Sequence, residues 1–328
     1  MALVFPVLSE RLELGVGLHV SRGATPDTES RRADIVSTDV VAALKRYAAD
    51  LGHVFVSWQP RELGPVDPAD DFLAYDEIFE RIGHCFASRS LRREPLDRGA
   101  FETYRRGDLL ELTNALVDRY AFAWVNEDVA RSSIQRKPVP GLLTRGSRDE
   151  VLRAAIRHTQ VMRAALMVPL LIEFPGLAEG AALFDGPLHA YEFLRIVAHE
   201  AAVAVTIDTR RLISYQCLIG KRGAELFAGL DRLPLDRCYE IRVSVSPGRS
   251  SEMRYGSLFD EQLELVERLV RACPNVRVIT FEGLVDDVGQ LVPRALFGFE
   301  ILRRMVASWK RAKRPSASFD LRLPQPAT

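Results

Sequence analysis

Several short apolar runs in this chain end in the same way. The run beginning at Val203 stops at Asp208, with Thr209-Arg210-Arg211 directly after it. Pro169-Leu170-Leu171-Ile172 stops at Glu173, Ala123-Trp124-Val125 stops at Asn126-Glu127-Asp128, and the run from Val276 to Phe281 stops at Glu282. Apolar, β-branched runs of this length read as strands buried on both faces, the condition of a parallel sheet. Strands that end in acids one after another place those acids together. In a closed parallel barrel the carboxyl ends of all strands converge on one mouth.

The segments between the runs supply the rest of the pattern. Leu14–Val20 reads as the first strand, with Gly15 and Gly17 allowing close backbone approach, and His53–Trp58 as the second. Ile82–Phe86 is predicted as a third strand carrying His84. The polar stretch Ser88–Arg98 is predicted as a rim loop, and Gln59–Asp71 as another. Tyr120–Val125, Val168–Glu173, Val203–Asp208, Cys238–Ser246 and Val276–Glu282 complete eight strands. Amphipathic helices are predicted between them, among them Ala100–Arg119, Leu188–Ala201, Leu258–Ala272 and Pro293–Lys310. Another, Ser147–Met167, is opened by a capping box of Ser147 and Glu150. Strand and helix alternating eight times selects an α/β fold, a (β/α)8 TIM barrel in one domain over residues 1–310, with a loose tail at 311–328.

Composition narrows the function classes. Lys+Arg and Asp+Glu both number 44, so no net field draws nucleic acid or an anionic membrane. No uninterrupted apolar run reaches the roughly 18 residues that span a bilayer. The N-terminus lacks a signal-peptide pattern, and Cys85, Cys217, Cys238 and Cys273 are scattered without zinc or disulfide spacing. The expectation is a reduced, cytoplasmic chain. Gly-x-Gly-x-x-Gly, Gly-x-Ser-x-Gly and phosphate-loop motifs are absent, and no lysine ends a strand, which disfavours isomerase or aldolase chemistry.

The strand ends supply Trp58, His84, Glu127, Asp128, Glu173, Asp208, Arg242, Ser244 and Glu282. So many carboxylates in one mouth repel unless a cation sits among them. A metal would serve, because carboxylate oxygens with an imidazole suit iron or manganese. Arginine would serve as well, and Arg210, Arg211 and Arg242 lie at or beside the same strand ends. The other histidines are read as bystanders: His158 on a helix surface, His199 at the barrel bottom, and His19 and His53 uninformative.

At these strand ends the chain resembles the multinuclear non-haem iron-dependent oxidative enzymes, the family of the methanobactin-biosynthesis oxidase. The likeness runs through Leu14-Gly15-Val16-Gly17-Leu18, Ile82-Gly83-His84, Trp124-Val125-Asn126-Glu127-Asp128, Leu171-Ile172-Glu173, Ile207-Asp208-Thr209-Arg210, Tyr239-Glu240-Ile241-Arg242 and Phe281-Glu282. The resemblance implies a barrel that holds iron and oxidises small precursor peptides, often beside a peptide-presenting partner protein. Carried over residue by residue, it leaves His84, Glu127, Asp128, Glu173, Asp208 and Glu282 as metal ligands for one or two irons. Trp58, Arg210 and Arg242 are left to contact a peptide or amino-acid-derived substrate. Several histidine and asparagine slots of the family pattern hold other residues here, Arg210 and Arg242 among them. Two readings therefore stand: a metal-dependent oxidoreductase of natural-product biosynthesis, and a metal-free pseudoenzyme or binding partner in which Arg210 and Arg242 replace the metal.

Overall fold

The computed structural model describes residues 12–19, 37–58, 68–93, 106–128, 148–174, 190–245, 259–285 and 290–311. Its strands are β1 (Glu13–His19), β2 (Leu51–Trp58), β3 (Ser88–Arg93), β4 (Trp124–Asp128), β5 (Leu170–Glu173), β6 (Ala204–Asp208), β7 (Cys238–Ser244) and β8 (Val278–Glu282). Each pairs in parallel with the next, and β1 also pairs with β8, which closes the barrel. The helices between them are α1 (Thr38–Tyr47), α2 (Pro68–Ile82), α3 (Arg106–Tyr120), α4 (Arg148–Ala165), α5 (Ala190–Glu200), α6 (Thr209–Leu218), α7 (Phe259–Ala272) and α8 (Pro293–Arg311). This is the (β/α)8 barrel expected from the strand grammar. No described helix is long and apolar enough to cross a membrane, and the four cysteines are free and buried.

Alternation along each strand builds two cores. The outward residues, such as Val54, Val56, Ile172, Val205, Ile207, Ile241, Val243 and Phe281, pack under the helices in one large apolar cluster. The inward face has its own small cluster of Trp124, Leu171, Ala204, Tyr239 and Val278, which floors the barrel. Above that floor the inward face is mostly polar, with Phe55 among it. Gly15 and Gly17 face this space. A Cβ on Gly17 would lie 2.2 Å from the Phe55 ring, and one on Gly15 would lie 3.1 Å from the His53 ring, so β1 gives way to the bulk of β2.

Three expectations are corrected. The third strand is Ser88–Arg93, not Ile82–Phe86; Gly83–Cys85 is a single 3-10 turn that follows α2. Residues 68–71 belong to α2 rather than to a loop. Tyr120 closes α3, and β4 begins at Trp124 and runs on through Asn126, Glu127 and Asp128. Ser147 of the expected capping box and residues 312–328 lie outside the described residues, and Arg311 is still helical.

Two helix ends are strained. Ala121 after α3 and Ala202 after α5 have φ of 52° and 51°, the left-handed conformation that glycine adopts freely. Ala202→Gly is expected to raise the unfolding free energy by roughly 0.5–1 kcal/mol in urea titration. Gly283 is the converse case: its φ is 98° and an added Cβ would lie 2.0 Å from the Val245 carbonyl oxygen. Gly283→Ala is expected to lower stability by about 2 kcal/mol or more in the same titration.

Candidate functional site

Inward residues at the carboxyl ends of the strands form one connected ionic network. Glu173, at the end of β5, is its hub. Arg242 Nη1 of β7 lies 2.6 Å from its Oε2, while Arg211 Nη1 of α6 and Arg92 Nη2 of β3 lie 3.2 and 3.5 Å from its Oε1. Arg211 also donates to Asp128 Oδ1 and, at 2.8 Å, to the Phe174 carbonyl oxygen. Arg92 Nη1 reaches Glu282 Oε1 at 3.0 Å. The Ser244 hydroxyl lies 3.3 Å from both Asp208 Oδ2 and Glu282 Oε2, which closes the ring.

Local folding places each part. Asp208 ends β6 and caps α6, accepting from the Arg211 backbone N–H at 3.1 Å. That cap sets the first turn, which carries the Arg211 guanidinium back over the mouth. Gln262 of α7 pairs with the end of β7 much as a neighbouring strand would: its Oε1 accepts from Ser244 N and its Nε2 donates to Ser244 O. Beneath the ring, the Arg242 guanidinium lies 4.3 Å over the Phe55 ring and 3.4 Å from Glu240. Glu240 in turn accepts from Thr280, Asn126, Thr206 and Trp124. Arg242, Glu173 and Glu240 are each 0% exposed.

The electrostatics follow from the count. Among the described residues, the inward carboxylates of Asp128, Glu173, Asp208, Glu240 and Glu282 meet the guanidiniums of Arg92, Arg211 and Arg242. Burial alone would push the Glu173 carboxyl up, but Arg211, Arg242 and Arg92 outweigh it and hold the group below the ordinary carboxylate value. Glu240 is likewise held down, with Arg242 opposing its burial. Asp128 and Asp208 go the other way. Burial raises both, and the Arg211 charge that they share with Glu173 offsets only part of that. The acids in excess of arginine thus sit at the rim of the network and hold protons more readily than its hub.

The expected site residues divide. Asp128, Glu173, Asp208 and Glu282 do meet, and Arg242 meets them. His84 does not: it lies on the turn before β3, at the opposite end of the barrel, and is exposed. Glu127 does not either, because it neighbours Asp128 along a strand and so faces outward, to His158 of α4 at 3.1 Å and Arg93 at 3.4 Å. His158, expected on the surface, is therefore a partner within the barrel wall. It is Arg211 that enters the mouth from α6; Arg210, expected there, is half-buried beside it. The backbone of Trp58 ends β2, but its side chain lies outside what is described.

Arg92 and Glu240 belong to the network without being among the expected site residues. The signal for Arg92 is the period-2 pattern Ser88, Ser90, Arg92, which the polar character of β3 disguised as a loop. Among the described residues no group of three or more His, Cys, Asp or Glu is disposed to hold a metal ion. The oxygens of Glu173 are taken by guanidiniums.

No family model matches the chain, and no curated protein matches it. Among solved structures it is similar to a protein assigned as a xylose isomerase from Rhodospirillum rubrum, with 11% identity and a TM-score of 0.52 over 90% of this chain and 99% of that one. It is also similar to a xylose isomerase-like TIM barrel/4-hydroxyphenylpyruvate dioxygenase fusion protein, with 13% identity and a TM-score of 0.52 over 92% of this chain and 44% of the fusion. At such identities the likeness concerns the fold: a TIM barrel of the kind found in enzymes.

Arg242→Met takes one of three guanidiniums from Glu173 and the guanidinium from Glu240, both buried, and is expected to cost about 3–5 kcal/mol by chemical denaturation. Adding Glu173→Gln to it is expected to recover part of that loss. The depressed carboxyls of Glu173 and Glu240 contribute stability that is present above their ordinary value of 4.5 and is lost as pH falls through their folded values. Asp128 and Asp208 act in the opposite sense, their contribution fading as pH rises from 3.8 through their raised values. Acid unfolding followed by circular dichroism is therefore expected to steepen below pH 4.5, and less so in Arg242→Met.

Proposed function

We propose that this chain is a metal-free relative of the peptide-oxidising barrels it resembles, and that it serves a peptide-modification system as a binding partner rather than as a redox enzyme. The observation that carries this reading is the 2.6 Å contact between Arg242 and Glu173, both fully buried, at the centre of the expected ligand set. A guanidinium there does two things. It satisfies the carboxylate that a metal would need, and it repels the metal. Two unit charges 4 Å apart in a partly buried site repel by roughly 4 kcal/mol, and a divalent ion doubles that.

Arg211 adds a second cation on the same carboxylate, and Arg92 a third. Of the ligands carried over by resemblance, Glu127 and His84 point elsewhere. The residues present therefore do not fit iron, and no oxidative step is routed through them. The network supplies rigidity instead: charge-assisted hydrogen bonds tie β3, β4, β5, β6, β7 and β8 together at the rim that such barrels use for ligands.

Protein expressed with supplementary iron tests the reading by metal analysis and calorimetry. Iron and manganese far below one equivalent, with a Tm unmoved by chelator or by added ferrous ion, are expected. Stoichiometric iron whose removal lowers Tm would overturn it. The partner role is read separately, by co-elution with any short peptide or modifying enzyme whose gene adjoins its own; absence of a complex with such a product would count against that role. That complex is expected to survive chelation.

A further inference from the structure

His53 stands in the barrel's interior, 0% exposed, with its ring 4.5 Å from that of Trp124 and nearly parallel to it at 9°. Its Nδ1 lies 2.8 Å from Ser88 Oγ and its Nε2 lies 3.0 Å from Ser90 Oγ. The hydroxyl protons decide the tautomer. Ser88 Oγ donates its one proton to the Gly52 carbonyl oxygen at 3.3 Å, so it accepts from His53, and Nδ1 carries the hydrogen. Nε2 then accepts from Ser90. The neutral ring is fully satisfied, and a second proton on Nε2 would turn the Ser90 hydroxyl from donor to acceptor and take its own proton away from the ring.

Charges around the ring offer little compensation. From β7, Glu240 attracts a proton and Arg242 repels one. Glu240 is already bonded to Arg242, Trp124, Asn126, Thr206 and Thr280. On the β1 side the nearby acid is Glu13, which packs against Gly52 and pairs with Lys310 of α8 at 3.6 Å. β3 and β4 face the ring with serines and an indole. Burial accordingly lowers the His53 pKa to about 4.

We propose that His53 is an acid-sensitive lock of the barrel: protonating it places a buried, uncompensated charge beside the floor, reverses the Ser90 hydrogen bond between β2 and β3, and loosens the ionic ring at the mouth. The link runs along β3, where Ser90 is two residues from Arg92 on the same inward face, and Arg92 bridges Glu173 and Glu282. The proposal is independent of the metal question. Its sign is fixed by linkage. Unfolded His53 takes up a proton near pH 6.5 and folded His53 does not, so stability is whole above 6.5 and falls as pH drops toward 4.

Two measurements on the full chain test it. In labelled wild-type protein, imidazole nitrogen shifts are expected to show the Nδ1–H tautomer and a midpoint far below 6.5, with the Trp124 indole resonance moving at the same midpoint. In urea titrations between pH 6.5 and 4.5, the wild-type folding constant is expected to fall roughly fortyfold relative to that of His53→Gln, whose remaining pH dependence is that of the other titrating groups. Ser90→Ala removes the donor to Nε2 and is expected to raise the midpoint. A midpoint near 6.5, or a His53→Gln chain as acid-sensitive as wild type, would sink the idea. If His53→Gln does not fold, the wild-type titration decides alone.

Discussion

Everything in the mouth of this barrel depends on one carboxylate with three guanidiniums around it. Glu173 is buried at the end of β5, where an unpaired charge would be expelled or protonated. Arg242, Arg211 and Arg92 reach it from β7, α6 and β3, and each carries on to a further acid. A buried ion pair contributes little on its own, because desolvation offsets attraction. A connected network spreads that desolvation over many contacts and makes each geometry conditional on the others.

The interior below is continuous with it. Most barrels of this architecture fill the space between the strands with branched apolar side chains. Here the apolar part is the floor and Phe55; beside and above the floor stand His53, Ser88, Ser90, Asn126, Thr206, Glu240, Thr280 and Arg242, all buried. Fold stability then rests on the outer cluster between strands and helices, while the inner column sets register and side-chain position. The TIM-barrel architecture is shared with solved enzyme structures, but the chemistry of this column belongs to these side chains, not to the fold.

Much of the architecture was legible in the sequence, because outward strand residues are apolar and β-branched, and several strands close on an acid. Asp128, Glu173, Asp208, Glu282 and Arg242 were found from that grammar. β3 was not, since Ser88, Arg89, Ser90, Leu91, Arg92 and Arg93 look solvated when read as composition; their polarity is that of a buried column. Glu127 and Asp128 both end β4 in the sequence, yet strand alternation turns only Asp128 into the mouth and sends Glu127 to His158 and Arg93. His53 was passed over because position along a strand tells which end a residue is near, not whether the space it faces is wet.

The ring has a consequence for sequence change. Removing one arginine strands an acid in the dark of the barrel, and removing one acid strands an arginine. Sequences that differ by a single member of the ring are therefore poor neighbours of this one. A lineage that carries this network can leave it only by changing charge partners together, so Arg92, Arg211, Arg242 and Glu173 should be inherited as a block or lost as a block.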